Sequence, residues 1–154
     1  MDRQRRSLKV GHWADAHLDQ FATCTGKIVR DQAGNNIRWL DRVRCLQAAC
    51  DGAVREQCDL AVDAGDLFDT YRPPPGEYVE ALRMYSGLAH VMPVIVCGSN
   101  HGTGQSAFDA QDIEPLRQVP GLHVVTRPER LVIETKIGQV QVYVLPHPRR
   151  SALR

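Results

Sequence analysis

Apolar positions along the chain switch between two periodicities. Short continuous apolar runs predict buried strands, and apolar residues spaced three or four apart predict amphipathic helices. The predicted strands cover residues 8–13, 60–62 and 93–97, and the predicted helices run from an N-cap at Asn35 or Asn36 to about Cys58 and from about 76 to 90. This strand–helix alternation predicts an α/β fold of βαβαβ type, because right-handed crossovers place such strands parallel in one sheet with flanking helices.

The last third of the chain has a different pattern. A short helix is predicted around 109–118, followed by strands at 122–126, 130–135 and 140–145. The last two strands predict a hairpin that turns near 136–138, where Gly138 can adopt a positive φ. The segment 14–35 is polar and long for a connection in a small domain, which marks it as a functional candidate.

Composition narrows the class of protein. The 154 residues are 43% hydrophobic and 24% charged with a net charge of +1, which is typical of one globular domain and excludes a strongly basic nucleic-acid coat or an acidic disordered tail. No apolar run reaches the roughly 18 residues of a membrane span. Five cysteines without a Cys-x-x-Cys pair disfavour a disulfide framework or zinc knuckle, so we expect a reducing, cytoplasmic location.

Polar side chains follow each of the three predicted parallel strands. Their carboxyl ends meet at one edge of a sheet, where ligands collect. Carboxylate, imidazole and amide groups together suit a divalent cation such as Mn²⁺, Fe²⁺ or Zn²⁺. Asp63, at the end of the second strand, is predicted to be a strand-edge or capping residue. The segments that follow the strands are Asp15-Ala16-His17, Gly65-Asp66-Leu67-Phe68-Asp69 and Ser99-Asn100-His101-Gly102.

The order of these motifs, each behind a strand, resembles the calcineurin-like metallophosphoesterase superfamily. The longer strings at 12–19, 64–69 and 93–96 resemble its DNA double-strand-break repair exonuclease branch. The resemblance extends from about Leu8 to Leu145. It implies that the chain forms the first part of a two-sheet αββα sandwich, with residues 1–7 as a basic N-terminal arm and 8–154 as a metallophosphoesterase domain that lacks its C-terminal part.

The resemblance also implies a dinuclear site, with Mn²⁺ as the expected metal. A metal-bound hydroxide would attack the phosphoryl group, and Asp69 would orient a ligand or order the loop. The implied roles are first-metal ligands for Asp15 and His17, a bridging ligand for Asp66, a second-metal ligand for Asn100, and contact with the phosphoryl group for His101.

Two departures from the family pattern affect these expectations. Ser99 stands where the family has glycine and Gly102 where it has an acid, and the later His and Gly-His-x-His ligand motifs do not follow. We therefore expect weaker catalysis and a reduced ligand set that holds only one metal tightly. We also expect the sheet face that the second sheet would cover to be exposed, which favours a homodimer or a partner.

The predicted function is metal-dependent phosphodiester hydrolysis on DNA. Two alternatives remain open: a non-catalytic or fragmentary protein with the same fold, and a phosphatase acting on nucleotides or other phosphomonoesters. The resemblance further implies an ATPase partner subunit. The DNA preference follows from the resemblance alone, because fold does not fix function.

Overall fold

A computed structural model describes residues 7–70, 72–99 and 112–147. Four parallel strands form one sheet in the order β1-β2-β3-β4, and two antiparallel strands form a hairpin, β5-β6. The α/β fold class with a parallel sheet and flanking helices is therefore confirmed. The strands are β1 Val10–Trp13, β2 Leu60–Asp63, β3 Val94–Cys97, β4 Leu122–Val125, β5 Glu129–Thr135 and β6 Gly138–Val144.

Two α-helices connect the first three strands, α1 at Ile37–Arg55 and α2 at Pro75–Ala89. Asn36 caps α1, as the sequence predicted, because its side chain accepts a hydrogen bond from the Arg38 amide at 3.0 Å. Proline at the first turn of α2 suits a position whose N–H has no helical partner. The third predicted helix is a 3₁₀ helix at Glu114–Gln118, and its predicted start at 109–111 lies outside the described residues.

Both helices pack on one face of the parallel sheet and form the main core with it. At Gly11 the first strand approaches α1 so closely that an added Cβ would lie 3.0 Å from the Cβ of Ala53. A side chain at position 11 would push α1 away from the sheet. Helix α1 also contacts the polar loop that connects β1 to it. The close approach at Gly11 therefore fixes the distance between α1 and the end of β1.

The hairpin covers the opposite face of the sheet. Ile133 and Val144 pack against Leu60, Ile95 and Val125, and all five are buried. The expectation that this face would be uncovered is therefore wrong over β2, β3 and β4. Apolar and polar residues alternate along the hairpin strands, so the apolar side chains all lie on one side of the hairpin. This apolar side packs on the sheet.

Two expectations from the sequence concern membrane spans and disulfide bonds. Within the described part of the chain, no helix combines the length and apolar character required to cross a bilayer. All five cysteines fall in the described ranges and are free thiols. Of the predicted basic arm, the structure describes only Ser7, so the division at residues 7 and 8 stays a prediction.

A buried acid ties the polar loop to α2. The Glu77 side chain lies in the first turn of α2, and its Oε1 accepts a hydrogen bond from the Gln20 amide at 2.9 Å. Oε2 is buried without a hydrogen-bond partner among the described residues. Burial, with a smaller contribution from the nearby charges of Asp19 and Asp69, raises the pKa of Glu77 to about 7. The loop is thus held by a carboxyl group that favours its protonated form.

We predict that Glu77→Gln flattens the dependence of stability on pH. Because the folded-state pKa is raised, the stability that Glu77 contributes is present below its ordinary value of 4.5 and is lost as the pH rises towards 7. The variant should match the wild type near pH 4.5 and be more stable at pH 8, by on the order of 2 kcal/mol. Urea unfolding of metal-free protein at both pH values measures this, and equal differences at the two pH values would contradict it.

Candidate metal centre

The loops after β1 and β2 are joined by backbone hydrogen bonds that continue the parallel pairing beyond the sheet. The amide of Asp15 donates to the carbonyl of Gly65 at 3.0 Å, and that of His17 to the carbonyl of Asp66 at 2.8 Å. A bond of 2.7 Å from the Leu18 amide to the Leu67 carbonyl follows. These bonds hold the Asp-x-His motif beside the Gly-Asp motif.

Three residues in the paired part of these loops have left-handed backbone conformations. Asp15, His17 and Asp66 have φ angles of 59°, 45° and 56°. Such conformations cost about 1–2 kcal/mol for a residue with a side chain, and they concentrate at functional sites. The three residues are also those that the sequence predicted as ligands from the first two motifs. Their ligand atoms all lie within 4.8 Å of one another, and we call this set the Asp/His cluster.

Gly65 is required where the two motifs meet. Its φ is 124°, which disfavours any residue with a side chain, and an added Cβ would lie 3.4 Å from the Cβ of Ser99 and 3.5 Å from the carbonyl oxygen of Cys97. Ser99 itself is buried and lies outside the positive-φ region. Serine is therefore compatible with the backbone at this position.

The chemistry of the Asp/His cluster fits a divalent cation. Asp66 Oδ1 is buried and has no hydrogen-bond partner among the described residues. A carboxylate oxygen in that state is unfavourable unless a cation or a donor satisfies it. Asp15, whose side chain is 69% exposed, leaves the cluster open to solvent on one side. Two carboxylates and one imidazole are suitable ligands for Mn²⁺, Fe²⁺ or Zn²⁺.

The imidazole of His17 is oriented by a carboxylate. Its Nδ1 lies 2.9 Å from Asp69 Oδ1, and its Nε2 lies 3.6 Å from Asp15 Oδ1. We assign the proton to Nδ1, since Asp69 accepts there, and this tautomer directs the Nε2 lone pair towards the cluster. A carboxylate behind a metal-binding histidine fixes the ring and increases its basicity. The role of Asp69 that the resemblance implied, orienting a ligand or ordering the loop, stays a prediction.

Helix α1 supports the same loop through an arginine that sequence reasoning missed. Arg42 Nη1 donates a short hydrogen bond to the backbone carbonyl of His17 and lies 4.0 Å from Asp19 Oδ2. Its target is a backbone carbonyl, so no motif could have revealed it. Arg42 stabilises the left-handed turn that directs His17 towards the cluster.

Sequence reasoning also missed a buried hydrogen-bond network at the end of β2, next to the Asp/His cluster. Asp63, the last residue of β2, accepts from the Gly65 amide at 3.0 Å and from the Tyr85 hydroxyl, which in turn accepts from Trp13 Nε1 at 3.4 Å. Desolvation raises the pKa of Asp63 to about 6. The predicted capping role of Asp63 is present. The strand-edge alternative is wrong, because β2 is central and Asp63 is fully buried.

A further acid near the Asp/His cluster, Asp112, belongs to none of the sequence motifs. Asp112 is 2% exposed, and its Oδ2 has no hydrogen-bond partner in the part of the chain that the structure describes. Desolvation raises its pKa to about 7, and the charges of Asp66 and Asp63 contribute to the rise. The predicted ligand Asn100 and the predicted catalytic His101 lie outside the described residues, so their roles and the second metal stay predictions.

Comparisons with known proteins found similar solved structures and nothing else. No family model matches the sequence, and no curated protein matches it. A solved structure, the Pseudomonas putida nuclease MPE, is similar with a TM-score of 0.45 and 16% identity, over 78% of this chain and 48% of that one. The chain thus spans about half the length of that nuclease. At this level of similarity the site must be judged on its own residues.

We predict that Asp66→Asn abolishes stabilisation by metal without unfolding the protein. Asparagine tolerates left-handed φ angles and removes a buried charge, so the metal-free variant should melt at or above the wild-type temperature. Addition of Mn²⁺ should raise the melting temperature of the wild type only. A matched variant, Asp51→Asn, removes an exposed carboxylate on α1 and should respond to Mn²⁺ like the wild type. An equal Mn²⁺ response in Asp66→Asn would contradict this assignment.

We predict that Asp69→Ala weakens Mn²⁺ binding by about 10–100-fold, since the variant loses the acceptor that orients His17. Isothermal titration calorimetry measures the dissociation constant. Asp51→Ala serves as the control for loss of a negative charge. Wild-type affinity in Asp69→Ala would show that the contact between His17 and Asp69 does not support the cluster.

Proposed function

We propose that the chain binds divalent cations, Mn²⁺ among them, at Asp15, His17 and Asp66, and hydrolyses phosphodiester bonds in DNA. The observation that carries this proposal is the Asp/His cluster, with three ligand atoms within 4.8 Å and a buried Asp66 oxygen that has no hydrogen-bond partner among the residues that the structure describes. The resemblance of the motifs to metallophosphoesterases of the DNA-repair exonuclease branch supports the choice of reaction and substrate.

Each residue of the cluster has a distinct task in this proposal. When bound, the cations supply Lewis acidity and lower the pKa of a coordinated water. Asp66, in the loop directly after the central strand β2, would hold the cations as the resemblance implies, and Asp15 lies on the solvent side. His17 presents Nε2, held in that orientation by Asp69. His101 is assigned to the phosphoryl group, where it would protonate the leaving oxygen.

The openness of the cluster is compatible with a polymeric substrate. Asp15 is largely exposed while Asp66 Oδ1 is buried, so a cation held between them would be reached from the solvent side. A DNA strand can approach such a site without being threaded through the protein. A deep, closed pocket would instead favour small phosphomonoesters.

We predict that the full chain hydrolyses bis(p-nitrophenyl) phosphate when Mn²⁺ is present and stops when a chelator is added. Asp66→Asn should lower kcat/KM by at least about 100-fold, because it removes the ligand with the best-supported position. His101→Ala should lower kcat by about 10²–10⁴-fold, the range expected for loss of a general acid. Release of p-nitrophenolate measures both.

Asp51→Asn is the control, because it removes an exposed carboxylate that is remote from the motifs. Turnover that survives chelation, or that persists in Asp66→Asn, would contradict the proposed mechanism. A folded chain that binds Mn²⁺ without turnover would favour a non-catalytic protein. Faster hydrolysis of p-nitrophenyl phosphate than of the diester would favour a phosphomonoesterase.

A further inference from the structure

A groove of about 660 Å³ lies between α1 and the segment 13–25. Asp15 and His17 line it, so the groove opens onto the Asp/His cluster. The rest of its lining includes Arg38, Thr23 and Thr25. Its volume falls within the range of pockets that hold small ligands or single units of a polymer, about 300–1,000 Å³.

The wall of this groove is ordered by a buried side chain. Asn36 is 4% exposed, and its amide donates to the carbonyls of Gln20 at 2.9 Å and Ala22 at 2.8 Å. Beyond them, Cys24 and Lys27 exchange backbone hydrogen bonds in a tight turn. Because the same Asn36 side chain also caps α1, the wall and the helix are fixed relative to each other, and the groove is preorganised.

Two arginines on α1 line the groove, and they are engaged differently. Arg42 is bound to the His17 carbonyl and serves the cluster. Arg38, with a side chain 52% exposed, lies 3.4 Å from Cys24 Sγ and 4.0 Å from Asp41 Oδ2. A guanidinium group has five donors, and a thiol and a distant carboxylate are weak partners for it. Arg38 therefore has donors to offer a ligand in the groove.

The charges that line the groove favour an anion once the cluster holds a metal. Asp15 and Asp41 balance Arg38 and Arg42, so the lining is close to neutral by itself. A divalent cation at Asp15 adds two positive charges and makes the groove attractive to phosphate. Arginine and threonine are among the side chains that most often contact phosphate and sugar in nucleic-acid complexes.

We propose that this groove binds the nucleotide next to the scissile phosphodiester, and that Arg38 contacts the phosphate on the far side of that nucleotide. This inference rests on the proposed function and deepens it, because it names a single strand of nucleic acid as the substrate. Thr23 and Thr25 lie where they can contact the sugar–phosphate backbone. A phosphomonoester has no second phosphate that Arg38 could contact.

Binding of a fluorescein-labelled oligothymidylate, measured by anisotropy with Mn²⁺, tests the role of Arg38. All proteins carry His101→Ala to slow cleavage. Arg38→Gln should weaken binding by about 10-fold and reduce the slope of log K against log salt concentration by about 0.7, the value for one phosphate contact on a single strand. Arg55→Gln removes an exposed arginine from the other end of α1 and should change neither quantity.

Thiol alkylation of the His101→Ala protein with Mn²⁺ gives a second measurement that needs no substitution in the groove. Cys24 and Cys45 line the groove and are accessible, whereas the three remaining thiols, Cys50, Cys58 and Cys97, are buried. Saturating oligothymidylate should slow modification of Cys24 and Cys45 by iodoacetamide several-fold, as measured by peptide mass spectrometry. Unchanged rates at saturation would overturn the proposal.

Three further outcomes separate this inference from the proposed function. Equal binding by Arg38→Gln and Arg55→Gln would overturn the groove assignment even if the chain hydrolyses bis(p-nitrophenyl) phosphate. Binding of thymidine monophosphate as tight as that of the oligonucleotide would overturn the assignment of a single strand as the substrate. It would instead favour a mononucleotide as the ligand of the groove. Arg38-dependent binding without hydrolysis would support the groove and contradict the proposed hydrolysis.

Discussion

The pairing of two loops beyond the edge of the sheet is the constraint on which the rest of the site depends. Backbone hydrogen bonds from Asp15, His17 and Leu18 reach across to the loop after β2, so neither loop can move without the other. The pairing fixes where the side chains meet, and the left-handed backbone at Asp15, His17 and Asp66 is part of that arrangement. Packing of β1 against α1 at Gly11 fixes the position of the strand from which this pairing continues.

Charge in the interior links this geometry to metal binding. Asp63, Asp112 and Glu77 are buried carboxyl groups with raised pKa values, and burial is the largest cause for each of them. Asp66 adds a buried oxygen that has no hydrogen-bond partner within the described part of the chain. Acids gathered in this way destabilise a protein unless protons or cations compensate them. A cation at the cluster would compensate part of this charge, so under the proposed function metal binding would stabilise the fold.

Much of the fold could be predicted from local pattern. Buried parallel strands are short apolar runs, and α1 has both a capping residue, Asn36, and a clear apolar stripe. The position of the Asp/His cluster could be predicted as well, because topology alone brings the ends of β1 and β2 together. These are features that neighbouring residues determine, or that the order of the strands determines.

The remaining features depend on contacts between distant parts of the chain. Arg42 binds a backbone carbonyl 25 residues earlier, and Tyr85 reaches Asp63 from 22 residues later. Neither pair carries a local signal. The hairpin over the second face of the sheet was predicted as a hairpin, but its packing partner was not. Alternating residues in two short strands show that one side is apolar and leave open what that side will meet.

The anchoring of the polar loop separates its tip from its base. Asn36 and Glu77 hold the base, at Ala22 and Gln20, while Gly26 at the tip has open space around it. Residues inserted at the tip would enlarge the wall of the groove without displacing Asp15 or His17. Loops of this kind let relatives of one enzyme diverge in what they bind while the reacting groups stay in place. Changes of length between Thr25 and Lys27 are therefore where substrate preference could evolve independently of the chemistry.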